Sequence, residues 1–154
     1  MMHLFYGGPF SQWAHSPMLV RGQSYDCAEQ WMMASKARYF GDGRALNAIM
    51  AAVGDPAEQK RIGRRVKNFD APAWAQIAPY IVYEGNVAKF TQNVMLRKAL
   101  LATRSDELVE ASPTDTIWGV GLSEDDPRAF DKSQWRGQNL LGEILMRVRS
   151  TLCK

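Results

Sequence analysis

The sequence predicts a predominantly α-helical α+β fold with a few short strands. Apolar residues recur at helical spacing over long stretches, a strong helix-start signal stands at Asp55-Pro56-Ala57-Glu58, and the β-like runs are short. The chain has 154 residues, the usual size of one domain, and 46% of them are hydrophobic. We therefore expect a single domain over residues 1–154 with a buried core.

In the first half of the chain we predict two short strands and three helices. Asp26 is expected to cap the first helix, with Glu29 at the third helical position, and Gly41-Asp42-Gly43 to end it. Asp55 as N-cap and Pro56 behind it start the third helix. The predicted elements are strands at residues 4–6 and 18–20 and helices at 26–40, 44–53 and from 56 onward, the last with an apolar stripe of Ile62, Val66 and Phe69.

The second half is predicted to be mostly helical around a polar loop. Pro72 is expected to open a short helix that carries Trp74, and Pro79 a longer helix that reaches about residue 102, with Gly85 as its weak point. A strand at 108–109, a strand or ordered loop at 117–122 and a polar loop over 123–137 follow. The final helix is the clearest core element, with Leu140, Leu141, Ile144, Leu145, Val148 and Leu152 at helical spacing and Arg147 and Arg149 pointing elsewhere.

Composition and motifs exclude several classes of function. The formal net charge of +3 is compatible with a phosphorylated or nucleic-acid ligand without demanding one. Cys27 and Cys153 make no disulfide framework, and two histidines make no zinc signature, so we expect reduced thiols and no metal. We see no signal peptide, no membrane span, no Walker A loop, no dinucleotide fingerprint and no nucleophile elbow. A cytoplasmic protein without contact to membranes is expected.

One helix face stands out because it mixes charge with apolar groups. Glu29, Met33, Lys36 and Phe40 form a single stripe at helical spacing, with the carboxylate and the amine two turns apart. Such a face suits a pocket in which charge develops on a substrate. From this segment alone the plainer interpretation is favoured, in which Glu29 completes a capping box and Lys36 is solvated.

Three further groups of residues each allow a functional interpretation as well as a purely structural one. Asn86, Lys89 and Asn93 share a helix face, which we expect to be a solvated surface, since charged residues are rarely buried. Asp115 precedes Trp118, which alone is more often core than a ligand platform. The basic run from Lys60 to Lys67 is more often a solvated face than a phosphate clamp, although Arg64 or Arg65 suits a phosphate. Cys27 is expected to be a small buried residue.

Several different short motifs are distributed along the chain. Each is weak evidence of a family alone, but their order and spacing agree with a single family. They are Ser11-Gln12-Trp13, Cys27-Ala28-Glu29-Gln30-Trp31 with Lys36-Ala37, Asp55-Pro56, Ile62-Gly63-Arg64, Lys89-Phe90-Thr91-Gln92-Asn93, Leu96-Arg97, residues 100–103 and 108–112, Asp115, Trp118-Gly119, Asn139-Leu140-Leu141-Gly142, Leu145-Met146 and Arg149. Together they make nearly the whole chain resemble the YbiA-like (NADAR) family.

That resemblance implies an N-glycosidase. Family members are described as hydrolysing the C–N bond of early phosphoribosylamino-pyrimidine intermediates of riboflavin synthesis, or as removing ADP-ribose from modified guanine in nucleic acid. A lysine has been proposed to trap the opened ribose as a Schiff base. Carried over to this chain, the resemblance and the residue types suggest Glu29, Lys36, Lys89 and Asp115 as catalytic residues, Trp74, Trp118, Gly119, Asn93, Asn139 and Arg64 as substrate-binding residues, and no cofactor or metal.

Three functions stay open at this point. The first is hydrolysis of a small nucleotide-like substrate, in which Glu29 or Asp115 stabilises the cationic carbon and a lysine attacks it. The second is cleavage of ADP-ribosyl-guanine in nucleic acid, for which the Lys60–Lys67 face would supply a basic rim. The third is a non-catalytic ADP-ribose or NAD sensor. The joint presence of Glu29 and Lys36 favours an enzyme, and the small substrate is slightly preferred.

Overall fold

A computed structural model describes all residues from Met1 to Lys154. The elements are β1 (Met2–Phe5), β2 (Met18–Val20), β3 (Gln23–Tyr25), α1 (Ala28–Tyr39), α2 (Gly43–Ala51), α3 (Pro56–Gly63), α4 (Ala71–Gln92), α5 (Val94–Ala102), β4 (Glu107–Glu110) and α6 (Leu140–Leu152), with 3-10 turns at Gly8–Phe10, Pro127–Phe130 and Lys132–Gln134. This confirms the helix-rich α+β class. None of the helices combines the length and the apolar character needed to traverse a bilayer.

The residues group into two compact units. The helical unit comprises residues 12–93, and the terminal unit comprises residues 1–11 and 94–154. The helical unit holds β2, β3 and α1 to α4, whereas the terminal unit holds β1, β4, α5 and α6. The single domain over residues 1–154 stays a prediction.

The helical unit begins with a tight hairpin of β2 and β3. Arg21 and Gly22 both have positive φ, 51° and 81°, which is the twist that a two-residue turn between antiparallel strands requires. The carboxamide of Gln92 accepts a hydrogen bond from the Leu19 N–H and donates one to its carbonyl, each at 2.8 Å. Strand β2 was predicted with these bounds, and β3 was not predicted.

The predicted cap of α1 is wrong by one residue. Cys27 is the N-cap and makes no side-chain bond there, so Glu29 occupies the second helical position and closes no capping box. The Asp26 carboxylate is engaged elsewhere: it accepts a hydrogen bond from the Gly54 N–H, and its two oxygens lie 3.1 and 3.3 Å from the donor Nε2 of Gln59. A tertiary contact therefore replaces the local cap.

The starts of α2 and α3 follow their aspartate caps, whereas the end of α3 differs from the prediction. Asp55 accepts a hydrogen bond from the Glu58 N–H at 3.0 Å, as its position predicts. The helix stops at Gly63, so the predicted stripe continues onto Val66 and Phe69 without a helix beneath it. Asp42 explains the departure, because its carboxylate caps α2 and also accepts the Lys67 N–H at 2.9 Å.

Helix α4 corrects the prediction of two helices divided at Pro79. It starts behind Asp70, runs unbroken through Pro79, and ends where Asn93 becomes extended. A buried row of Trp74, Ala78 and Val82 continues across the proline, so packing offsets the hydrogen bond that proline cannot donate. The Asn93 side chain donates to the Lys89 carbonyl at 2.9 Å, which closes the helix end before α5 begins.

The terminal unit pairs β1 and β4 in parallel, with Met2 opposite Glu107 and Phe5 opposite Glu110. Helix α6 packs against β4, and its predicted core residues Leu141, Ile144, Leu145 and Val148 are buried. Residues 117–122 form an ordered loop. Arg149 does not point away as predicted: it is buried and donates from Nη1 to the Thr103 hydroxyl at 2.7 Å.

Candidate active site

Glu29 is buried in the first turn of α1, with 6% of its surface exposed. Its backbone N–H donates to the Gln12 carbonyl at 3.0 Å, which ties the segment before β2 to this turn. Glu29 is the second residue of the helix and closes no capping box, so the expectation that it only completes one is wrong. The N-terminal end of a helix also favours a negative charge.

Lys36 lies two turns further along the same face and is half-buried. Burial lowers the pKa of its amine, the Glu29 carboxylate raises it, and the Arg64 guanidinium lowers it again. The ammonium group lies 4.3 Å from the centre of the Phe69 ring. The structure therefore brings Glu29, Lys36 and Arg64 close enough for their charges to interact, and it gives Lys36 an amine that deprotonates more readily than an exposed one.

A buried polar network fixes the entry to α1 beneath this pair. Gln59 is fully buried; its Oε1 accepts from the Cys27 thiol at 3.2 Å, and its Nε2 donates to Asp26 and to the Ala52 carbonyl at 2.8 Å. Gln30 accepts the Asp26 N–H at 2.8 Å. Burial raises the pKa of Cys27 to about 12, so this thiol stays protonated and acts as a small buried residue, as predicted.

The face of α4 that carries Asn86 and Lys89 is not a solvated surface, and that expectation is wrong. Neither residue exposes any side-chain surface. Burial lowers the pKa of Lys89 to about 7, with a small opposing effect from Cys27. Helix α1 packs here, and Gly85 allows the close approach: a Cβ at this position would lie 2.3 Å from Cδ1 of Trp31.

Two buried amides beside this face are only partly satisfied. Nδ2 of Asn86 donates to Oε1 of Gln12 at 3.0 Å and to the Val82 carbonyl at 2.8 Å. Oδ1 of Asn86 and Nε2 of Gln12 have no hydrogen-bond partner. A buried polar atom without a partner costs about 1–3 kcal/mol, so these two atoms mark a place where the fold tolerates a cost.

An aromatic cluster stands next to Lys36. Phe40 contacts Phe69 edge to face, with ring centres 5.4 Å apart, and contacts Trp74 at 6.4 Å. Trp74 is only 8% exposed, whereas Phe69 is 47% exposed. Phe69 is thus an open ring on the Lys36 side of the cluster, whereas Trp74 is buried.

The remaining predicted residues of the helical unit lie at its surface or at a helix end. Arg64 is exposed and follows the last turn of α3, near Arg61, Arg65 and Lys67, so the basic face is solvated as expected. Asn93 donates to the carbonyls of Lys89 and Pro17, at 2.9 and 3.1 Å. Its amide therefore joins α4 to the segment that leads into β2.

In the terminal unit, the predicted residues build one ordered turn. Oδ1 of Asp115 accepts the N–H groups of Ile117 and Trp118 at 2.9 and 2.8 Å. Gly119 is buried where a Cβ would lie 2.9 Å from the Glu110 carbonyl oxygen. Trp118 is half-buried.

Asn139 is fully buried at the start of α6, with a positive φ of 55°. Its Oδ1 accepts the Glu110 N–H and its Nδ2 donates to the Leu108 carbonyl, each at 2.9 Å. The amide therefore acts as a partner for strand β4. The substrate-binding roles of Asn139, Gly119 and Trp118 and the catalytic role of Asp115 stay predictions.

The sequence interpretation missed Gln12 and Phe69. Gln12 stands in one of the short motifs quoted above, so a signal existed, but nothing in the spacing placed it beside Glu29. Phe69 was assigned to a packed helical stripe, and only the end of α3 at Gly63 reveals that its ring is open.

Comparisons with known proteins agree over nearly the whole chain. A family model described as the NADAR domain matches residues 4–153. The N-glycosidase R617 of Acanthamoeba polyphaga mimivirus is 42% identical over 145 residues, covering 91% of this chain and 85% of that protein. The N-glycosidase YbiA of Escherichia coli (strain K12) is 30% identical over 145 residues, covering 94% and 81%.

Two further comparisons extend this result. Protein irg-1 of Caenorhabditis elegans is 38% identical over 130 residues, covering 83% of this chain and 61% of that protein. The NMR structure of E. coli YbiA superposes with a TM-score of 0.79 at 29% identity, covering 99% of this chain and 84% of that one. The similarity therefore extends to the fold.

Proposed function

The chain belongs to the NADAR family and is a hydrolase of N-glycosyl bonds, and we propose that it cleaves the bond between a phosphorylated ribose and an aromatic base without a metal, with Glu29 and Lys36 as the reacting pair. One observation carries the proposal. Lys36 is half-buried, so a substrate can reach it, and its amine has a lowered pKa while a buried carboxylate lies two turns away on the same face.

The pair suits the charge that develops when an N-glycosyl bond breaks. The free amine of Lys36 forms a bond to C1′ while the C1′–N bond breaks, and the electron pair of that bond leaves with the base nitrogen, which takes up a proton. The Glu29 carboxylate stabilises the positive charge that builds at C1′. Preorganised charge in a partly dry site supplies more stabilisation than the same charge in water.

The sugar then leaves the amine by hydrolysis. Loss of a proton from Nζ and opening of the C1′–O4′ bond give a Schiff base, with O4′ becoming a hydroxyl. Water adds to C1′ with Glu29 as proton acceptor, the Nζ–C1′ bond breaks, and the free amine and sugar are restored. One water is consumed for each base released.

Exposure favours Lys36 over Lys89 as the attacking amine. Lys89 has a pKa near 7 and is neutral often enough to react, but none of its surface is exposed. A group that bonds to a substrate carbon must reach it, so we assign Lys89 a place beneath the site. Reductive trapping with cyanoborohydride tests this: a sugar adduct on the peptide of Lys36 supports the assignment, and one on the peptide of Lys89 reverses it.

A small phosphorylated substrate is the preferred class, with ADP-ribosyl-guanine in nucleic acid as the second candidate. The exposed basic face of Arg64, Arg65 and Lys67 supports this second candidate, since such a face suits a nucleic-acid backbone, whereas the neighbouring Arg61 is paired with Glu58. Binding to a modified oligonucleotide would weaken steeply as salt rises if phosphates of the strand contact this face. Binding of a mononucleotide would change much less.

The activity itself is tested by incubating the purified protein with candidate ribosylated bases and recording released base by mass spectrometry. Release by the wild-type protein, lost in Lys36→Ala, supports the proposal. Tight binding of ADP-ribose or NAD with no release of any base would instead indicate a non-catalytic sensor.

A further inference from the structure

Phe69 is an exposed aromatic residue whose ring lies against the ammonium group of Lys36. It lies on the irregular segment between α3 and α4, its ring is 47% exposed, and Nζ of Lys36 lies 4.3 Å from its centre. An ammonium over an aromatic face is attracted by the negative charge of that face. The ring therefore favours the charged form of Lys36, which is not the form that attacks carbon.

The ring is fixed from behind. Phe40 packs against it at an interplanar angle of 74°, and Trp74 contacts Phe40 from the first turn of α4. The backbone is held before the ring by the Asp42 carboxylate, which accepts the Lys67 N–H at 2.9 Å, and after it by the Asp70 carboxylate, which accepts the Ala73 N–H at 3.0 Å. Between these two anchors, Asn68 adopts a left-handed φ of 61°, a conformation that asparagine enters more readily than most residues.

A flat base that stacked on the side of the ring facing Lys36 would compete with the ammonium group for that face. Stacking of a nucleobase on an aromatic side chain and attraction of a cation to it are interactions of similar strength. When a base covers the ring, the ammonium loses this partner, while the Arg64 guanidinium still disfavours its charge and only Glu29 favours it. The amine is then released beside the sugar of the same substrate.

We propose that the base of the substrate stacks on Phe69, and that the Phe69 ring stabilises the charged form of Lys36 until an aromatic base displaces the ammonium group. The inference rests on the proposed role of Lys36 in the reaction. It adds to the proposed reaction a dependence on the leaving group, since a non-aromatic leaving group would not displace the cation from the ring.

Two ligands that differ only in the base test the stacking role. Adenosine 5′-monophosphate and ribose 5-phosphate share the sugar phosphate, so the difference in their affinities isolates the base. Phe69→Leu should weaken binding of the nucleotide about 10-fold, a change of about 1.4 kcal/mol, and leave ribose 5-phosphate unchanged. Phe69→Tyr should retain the wild-type difference. Tyr39→Leu is a matched control, because Tyr39 is an exposed ring that also contacts Phe40.

The effect of the Phe69 ring on Lys36 is tested by labelling Lys36 with ribose 5-phosphate and cyanoborohydride over a range of pH. Without the ring, the charged amine loses a partner, so trapping in Phe69→Leu should begin at lower pH than in the wild-type protein or in Phe69→Tyr. A purely structural role of Phe69 would weaken both ligands equally and leave the pH midpoint in place, which would overturn the proposal.

The experiments distinguish failure of the inference about Phe69 from failure of the proposed reaction. If ribose 5-phosphate never labels Lys36 in the wild-type protein, the role of Lys36 as nucleophile is wrong, and so is its release by a base. If Lys36 is labelled and Phe69→Leu behaves as wild type in both assays, only the inference about Phe69 is wrong. Thermal melting of each variant confirms that the folded protein is compared.

Discussion

Lys36 and Glu29 share one face of α1, two turns apart, and their charges interact: burial lowers the pKa of the Lys36 amine, and the Glu29 carboxylate counteracts part of that shift. The pair therefore places an acid and an amine of lowered pKa on the same helix face. Each can therefore take part in chemistry that neither would perform when fully solvated.

Replacing Glu29 by glutamine should lower kcat at least about 10-fold, a loss of about 1.4 kcal/mol of transition-state stabilisation. Glutamine keeps the size and the helix position but cannot stabilise a cationic carbon or accept a proton. Steady-state kinetics and circular dichroism measure activity and folding together. Glu84→Gln is the matched control, since that carboxylate pairs with Arg21 at the surface. Wild-type turnover in folded Glu29→Gln would remove Glu29 from the mechanism.

The pH dependence of kcat/KM should respond to Arg64. Only the free amine of Lys36 attacks, so activity rises with pH through the pKa of Lys36, which lies below its ordinary value of 10.5. The Arg64 guanidinium lowers this pKa, so Arg64→Met should move the rise to higher pH. The displacement should shrink in high salt, because Arg64 is exposed.

Arg65→Met is the control for that measurement, since Arg65 is also exposed but has no effect on the pKa of Lys36. An equal displacement in both variants would mean that the profile reports net charge and not the neighbourhood of Lys36. An unchanged profile in both would mean that another group governs the rise.

Local signals in this sequence predicted local structure well. The aspartate cap at Asp55 forms as its spacing indicates, and most of the α6 stripe is buried, because caps and periodic stripes depend on neighbours within one or two turns. Prediction failed where contacts between residues far apart in the sequence determine the structure. Pro79 did not start a helix, because the buried row of α4 extends across it, and Asp26 did not cap α1, because Gln59 and Gly54 claim its carboxylate.

The site was predictable in its residue types and less so in their surroundings. The spacing of Glu29 and Lys36 indicated a shared face, which the helix confirms. Burial of Lys89 was not predictable, since nothing in residues 86–93 reveals that both Asn86 and Lys89 are covered. The aromatic neighbour of Lys36 was also missed, because Phe69 reaches it through an irregular segment and not through a helical repeat.

Gly85→Ala should destabilise the protein, although alanine is the better helix former. Alanine would gain up to about 1 kcal/mol of helix propensity, but its Cβ would lie 2.3 Å from Cδ1 of Trp31. The indole cannot retreat easily, because its Nε1 donates to the Ile81 carbonyl at 2.7 Å and its ring packs against Tyr25. We expect a net loss of about 1–3 kcal/mol in urea unfolding, the usual range for overpacking.

Gly43→Ala provides the opposite expectation at a helical glycine with open space. No heavy atom lies within 4 Å of a Cβ placed there, so the substitution should leave stability unchanged or raise it. If Gly85→Ala stabilised the protein as much as Gly43→Ala, the Trp31 side chain would have to move aside at little cost, and the expected clash would be wrong.

Lys89→Met should change how stability depends on pH. Burial lowers the pKa of Lys89 from 10.5 to about 7, so between these values the unfolded chain carries a proton that the folded chain does not. The free energy of unfolding of the wild-type protein should therefore rise with pH across this window, by up to about 1.4 kcal/mol per pH unit from this residue, and be lowest below pH 7. Methionine cannot ionise, so the variant should be more stable at neutral pH and lack this part of the slope. Urea unfolding at several pH values measures it, with the exposed Lys98→Met as control. Equal slopes in Lys89→Met and the wild-type protein would mean that Lys89 keeps its charge in the folded state.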